Sequence, residues 1–215
     1  MPKRALVERR PWLLASVASA IVYYLIRDNA VDETLLIYLK GAGAAFLAVY
    51  AIMRHKGFDG WLVAAVMALA SLGDMLIELE LVWGGAAFFA SHCTAIYLYL
   101  RHRRKHPTSS QKAAALALII VTPLVCWLLS NNPGIGIYGI ALGAMAATAW
   151  LSKFPRYRVG LGAVLFVISD WLIFWNVGSP GDNVISGYLI WPLYFSGIFL
   201  IATGSIQSLH KTKAK

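Results

Sequence analysis

Residues 97–131 read YLYLRHRRKHPTSSQKAAALALIIVTPLVCWLLSN: two apolar stretches, parted by a block holding five Lys or Arg and no acid. The stretch from Ala113 to Ser130 has the length of a helix crossing a hydrocarbon layer of ~30 Å, which takes about 17 to 25 residues. A basic block between two such stretches is the pattern that a membrane protein keeps on its cytoplasmic side. Outward from this point the same pattern repeats. Apolar runs are predicted at approximately 11–27, 35–53, 59–79, 84–100, 113–130, 133–151, 157–176 and 187–206. The connections at Asn131-Asn132-Pro133-Gly134 and Gly178-Ser179-Pro180-Gly181-Asp182-Asn183 carry turn residues. Composition agrees, with 59% hydrophobic and 13% charged residues among 215, values that a soluble domain could hardly sustain. The expected fold is therefore all-α: a polytopic membrane protein with eight transmembrane helices in one domain over residues 1–215.

Charge tests this division independently. Lys3, Arg4, Arg9 and Arg10 precede the first run, and Arg54 and Lys56 follow the second. Arg101, Arg103, Arg104, Lys105 and Lys112 follow the fourth, Lys153, Arg156 and Arg158 the sixth, and Lys211, Lys213 and Lys215 the eighth. That assigns 17 of 19 basic residues to one side, leaving Arg27 and Lys40, while Asp28, Asp32, Glu33, Glu80 and Asp182 gather at the other. Both termini are thus expected to be cytoplasmic. The net charge of +9 is explained by topology, so no nucleic-acid partner is implied. The Arg101–His106 cluster also suits anionic lipid headgroups, although topology already accounts for it. The run from Trp12 to Ile26 has no small-residue cleavage site and is read as a retained first helix rather than a leader. Cys93 and Cys126 lie inside apolar runs without ligand spacing, so neither a disulfide framework nor a metal site is expected.

An ionised side chain at the centre of a membrane helix costs at least ~2.5 kcal/mol on insertion scales, so such residues mark function by default. Asp74 and Glu78 in the third run, His92 in the fourth and Asp170 in the seventh qualify. Asp74 lies 15 residues past Asp59 and Asp170 lies 13 past Tyr157, which puts both about 20 Å from the cytoplasmic surface at ~1.5 Å per residue. His92, eight residues after Gly84, is expected to descend to a similar level. Glu78 follows Asp74 by one turn on the same face. Ser71, Gly73, Ser91 and Ser169 are small neighbours that permit close helix approach. Trp171, Trp175, Trp191, Tyr188 and Tyr194 suit either an apolar substrate slot or an interfacial aromatic belt.

Read together, Gly73-Asp74-x-x-Leu/Ile and Gly162-Ala163-x-Leu165-Phe166-x-x-Ser169-Asp170 resemble the YhhN family of membrane proteins, which includes the lysoplasmalogenases. Lys40, Phe88-x-x-x-His92, Tyr138 with Met145, and Asn176 resemble further positions of that family in the same order. Gly41 stands where the family usually has proline after the lysine, Ala95 where a tyrosine commonly follows the histidine, and around Tyr194 the usual glutamine has no clear counterpart. The resemblance implies cleavage of the vinyl ether bond of a lysophospholipid, to a fatty aldehyde and a glycerophospho-alcohol, without a cofactor.

That reaction protonates the enol ether carbon, and water captures the resulting oxocarbenium ion as a hemiacetal that collapses to aldehyde. Two neighbouring carboxyls resist joint ionisation, so one of Asp74 and Asp170 can donate the proton while the other stabilises the cation and directs water, as in glycosidases. Their roles stay interchangeable at this point. Lys40, Glu78 and His92 are candidates for holding the headgroup or water, with Ser169, Asn176, Tyr138 and Tyr194 supporting. Intramembrane carboxylates also serve proton-coupled carriers, but neither an inverted repeat nor paired broken helices are visible. A hydrolase of another lipid, amide or ester bond, and a non-catalytic lipid binder, are the remaining readings. The spacing Lys211-Thr-Lys213-Ala-Lys215 suits an endoplasmic-reticulum signal if the source is eukaryotic. A bacterial inner membrane is the preferred location.

Overall fold

The structure, a computed structural model, describes residues 10–179, 181 and 184–213. Lys3, Arg4, Arg9, Pro180, Asp182, Asn183 and Lys215, used in the charge and turn arguments, lie outside the described residues. Among the described residues eight α-helices follow one another: α1 (Arg10–Ile26), α2 (Glu33–Arg54), α3 (Phe58–Leu79), α4 (Leu81–Arg101), α5 (Ser109–Ser130), α6 (Pro133–Leu151), α7 (Leu161–Gly178) and α8 (Val184–Lys213). Seven of them are long and apolar enough to cross a membrane, and the 17-residue α1 is apolar over Pro11–Ile26.

Helix ends differ from the predicted ones where local chemistry extends them. Thr108 accepts from Gln111 N while the Gln111 side chain accepts from Thr108 N, a capping box that starts α5 at Ser109, before its apolar run begins. Pro133 occupies the first turn of α6 behind the cap Asn132, where its missing N–H is no loss. A π-helical turn over Arg156–Gly160 leads into α7. The eighth helix runs on to Lys213, because hydropathy marks only the apolar part of a helix that continues into polar sequence.

The chain contacts divide into two compact units. One holds residues up to Thr94 and from Ser205 onward. In it Ser16 Oγ donates to Gly43 O at 2.7 Å and joins α1 to α2, and Ser71 Oγ donates to Gly41 O at 2.8 Å and joins α2 to α3. Ser91 Oγ donates to Val66 O at 2.9 Å and ties α4 to α3. Hydroxyls directed at facing backbone carbonyls, beside small residues, are how helices associate where water cannot drive them together.

The other unit runs from Ala95 to Gly204. Here α5 and α6 approach at Gly139 and Gly143, where a Cβ would stand 2.7 Å from Pro123 Cα and 2.6 Å from Leu118 O. A Cβ on Gly162 of α7 would stand 2.6 Å from Gly197 O of α8, and one on Gly197 would stand 2.7 Å from Gly162 O. Only glycine permits this reciprocal crossing. At one end of the unit Arg104 N donates to Leu151 O at 3.0 Å and Lys153 N donates to His102 O at 2.7 Å. The basic connections after α4 and α6 therefore lie together, as the charge pattern requires. Phe154, 2% exposed, anchors them, its ring 5.0 Å from that of His102 and 6.0 Å from that of Tyr99.

Candidate functional site

In the first unit the packing that positions Asp74 begins at Gly41. A Cβ there would stand 2.6 Å from Met75 Cγ and 3.1 Å from Ser71 O. This glycine seats the turn carrying Lys40 directly on the turn carrying Asp74. Asp74 is 2% exposed. Lys40 Nζ forms an ion pair with Glu78, one turn beyond Asp74. It also lies 5.8 Å from the centre of the Tyr23 ring of α1. Gly73 faces the Phe88 ring of α4, with room for no Cβ, and His92 follows one turn along the same face of α4, 1% exposed.

In the second unit Asp170 of α7 is 5% exposed. Tyr138 Oη of α6 donates to Asp170 Oδ2 at 2.7 Å, and the Tyr138 ring meets Phe174 edge-on at 5.5 Å. Ser169 Oγ donates to Phe166 O in its own helix at 2.8 Å. Asn176 Oδ1 accepts from Ser186 Oγ at 2.8 Å and links α7 to α8. Tyr194, 5% exposed, lies edge-on to Phe166 at 5.1 Å and 5.6 Å from Trp191. Among the described residues no three His, Cys, Asp or Glu side chains converge in a way that suits a metal ion.

The sequence-derived residues thus fall into two constellations, each within its own unit: Asp74 with Lys40 and Glu78, and Asp170 with Tyr138. The sequence reading does not give the two pairings, because its depth count covers Asp74, Asp170 and His92 but neither Lys40 nor Tyr138. Tyr138 stands five residues into α6 and Asp170 eight residues before the end of α7, so the same count brings them to nearly one level in antiparallel helices. Tyr23 was missed altogether, for nothing in its apolar run sets it apart.

A family model described as the YhhN family matches residues 35–205. The chain belongs to the YhhN family. The match includes α2 from Leu35, all of α3 to α7, and α8 as far as Ser205, and so contains every candidate site residue derived from the sequence. Among curated proteins, the lysoplasmalogenases of Mycobacterium bovis and Mycobacterium tuberculosis are each 29% identical over 179 residues, covering 77% of this chain and 68% of the relative. No solved structure matches the chain.

Proposed function

We propose that this membrane protein is a hydrolase that cleaves the vinyl ether bond of lysoplasmalogen-type lysophospholipids, releasing a fatty aldehyde and glycerophosphoethanolamine or glycerophosphocholine. What carries the reading is the likeness to two proteins named lysoplasmalogenase, in a chain whose family segment contains two buried carboxyls.

In the proposed reaction a carboxyl holding a proton gives it to the enol ether carbon distal to oxygen. The electron pair of the C=C bond forms the new C–H bond, and the ether oxygen shares the positive charge. An ionised carboxylate stabilises this oxocarbenium ion and takes a proton from the water that adds to it. The hemiacetal then loses the glycerol oxygen as an alcohol and leaves the aldehyde. Asp74 and Asp170 are the proposed acid and carboxylate; Tyr138 supports Asp170, while Lys40, Glu78 and His92 serve the headgroup and water.

Asp74→Asn and Asp170→Asn each keep the size of the side chain and remove the acid. Aldehyde release by the purified, membrane-inserted variants should drop to background in both. Near-normal turnover in either one would sink the two-carboxylate mechanism. A wild-type protein that releases no aldehyde, but moves lipid or protons across vesicles, would favour the carrier.

A further inference from the structure

The ion pair between Lys40 and Glu78 sits at the rim of the first unit, where the side chains keep 16% and 39% of their exposure. It lies one turn from Asp74 along α3. Resting on the reading of the substrate as a lysophospholipid, we propose that this pair docks the zwitterionic phosphoethanolamine headgroup, Lys40 taking the phosphate and Glu78 the ammonium, and so presents the vinyl ether to Asp74.

Charge order supports this assignment. A phosphoethanolamine laid antiparallel to the Lys40–Glu78 dipole makes a square of four charges alternating in sign, so no charge loses compensation when the protein's own pair opens. A headgroup with phosphate alone satisfies Lys40 but sets Glu78, and Asp74 behind it, against a second anion. Length supports it too. From Glu78 to Asp74 is four residues, about 6 Å of helix rise. The phosphorus and the ether oxygen of the substrate are joined by five bonds of ~1.5 Å, which extend to about 6 Å. A phosphate held at the level of Glu78 therefore brings the scissile bond to the level of Asp74.

The pair also discriminates among cations. A primary ammonium offers three N–H donors to a carboxylate, whereas trimethylammonium offers none and is recognised by aromatic cages instead. Glu78 offers such a carboxylate, held in its ion pair with Lys40. The order of preference is ethanolamine, then choline, then glycerol.

The experiment compares wild type, Glu78→Gln, Lys40→Gln and the doubly neutral Lys40→Gln/Glu78→Gln in detergent micelles. Each is given lysoplasmalogens of ethanolamine, choline and glycerol headgroup for turnover. Each is also given saturated 1-O-alkyl lysophosphoethanolamine, which lacks the vinyl bond, for binding by calorimetry. The double variant leaves no unpaired charge and guards against misfolding, which thermal unfolding checks. Losing one charge-assisted hydrogen bond, Glu78→Gln should cut kcat/KM for the ethanolamine lipid about tenfold or more and weaken the saturated lipid alike. Turnover of the glycerol lipid should hold or rise, and Lys40→Gln should weaken all three. Unchanged headgroup ranking in Glu78→Gln, or no binding of the saturated lipid by wild type, overturns the docking proposal. Wild type that binds the saturated lipid through the pair yet cleaves nothing sustains the docking and removes the hydrolase reading.

Discussion

Tyr138 and Asp170 meet through one hydrogen bond of 2.7 Å, and its direction matters. The phenol donates to Oδ2, so in the proposed reaction Oδ1 is the oxygen of Asp170 left to face the substrate. Tyr138→Phe keeps the edge-on contact with Phe174 and deletes only the hydroxyl. A hydrogen bond to a charged partner is worth ~1.5–3 kcal/mol, so kcat should fall roughly 10- to 150-fold with KM little changed. Steady-state kinetics of Tyr138→Phe beside wild type decide this; an unchanged kcat would show that Tyr138 acts elsewhere. At this scale the sequence disclosed the carboxylates, because an acid in an apolar run stands out. It offered Lys40 and Tyr138 as candidates without pairing them, because a tyrosine or a lysine near a helix end has ordinary interfacial reasons to be there.

At the scale of the element, adjacent glycines in α4 have opposite surroundings. A Cβ on Gly84 would stand 2.6 Å from Ile77 Cβ and 2.7 Å from Ile77 N, whereas one on Gly85 would meet nothing within 4 Å. Gly84→Ala forces α4 off α3 and should lower stability by about 1–3 kcal/mol. Gly85→Ala, which only relieves the poor helix propensity of glycine, should be neutral or raise stability by up to ~1 kcal/mol. Thermal unfolding in detergent measures both, and equal shifts would contradict the observed packing. All eight helices were legible from apolar run length, since crossing a membrane fixes a minimum length. Their contacts were not, for the sequence shows glycines without showing which one faces a neighbour. The π-helical turn at Arg156–Gly160 leaves no trace in hydropathy.

For the whole molecule, the direction of each helix rests on charge. Between Ala95 and Ser169 the chain carries no Asp or Glu, so the joined connections after α4 and α6 form a basic end with no acid of their own. We propose the cytoplasm on that side, with both termini there. In a background with exposed Cys93 replaced by alanine, an impermeant maleimide should label Lys105→Cys only in inside-out vesicles. Gly181→Cys, with open space around its Cβ, should be labelled only in right-side-out ones. The reverse pattern would invert every span and move Lys40 and Glu78 to the cytoplasmic face.

The reciprocal crossing of Gly162 and Gly197 bears on how α7 and α8 can move. Each carbonyl oxygen occupies the place of the other glycine's Cβ, at 2.6 and 2.7 Å, so a slide of either helix by one residue would set a side chain against a backbone. The crossing acts as a pin: the two helices turn about it rather than slip past it, and Asp170, eight residues on from Gly162 and so about 12 Å along α7, keeps its distance from that fixed point.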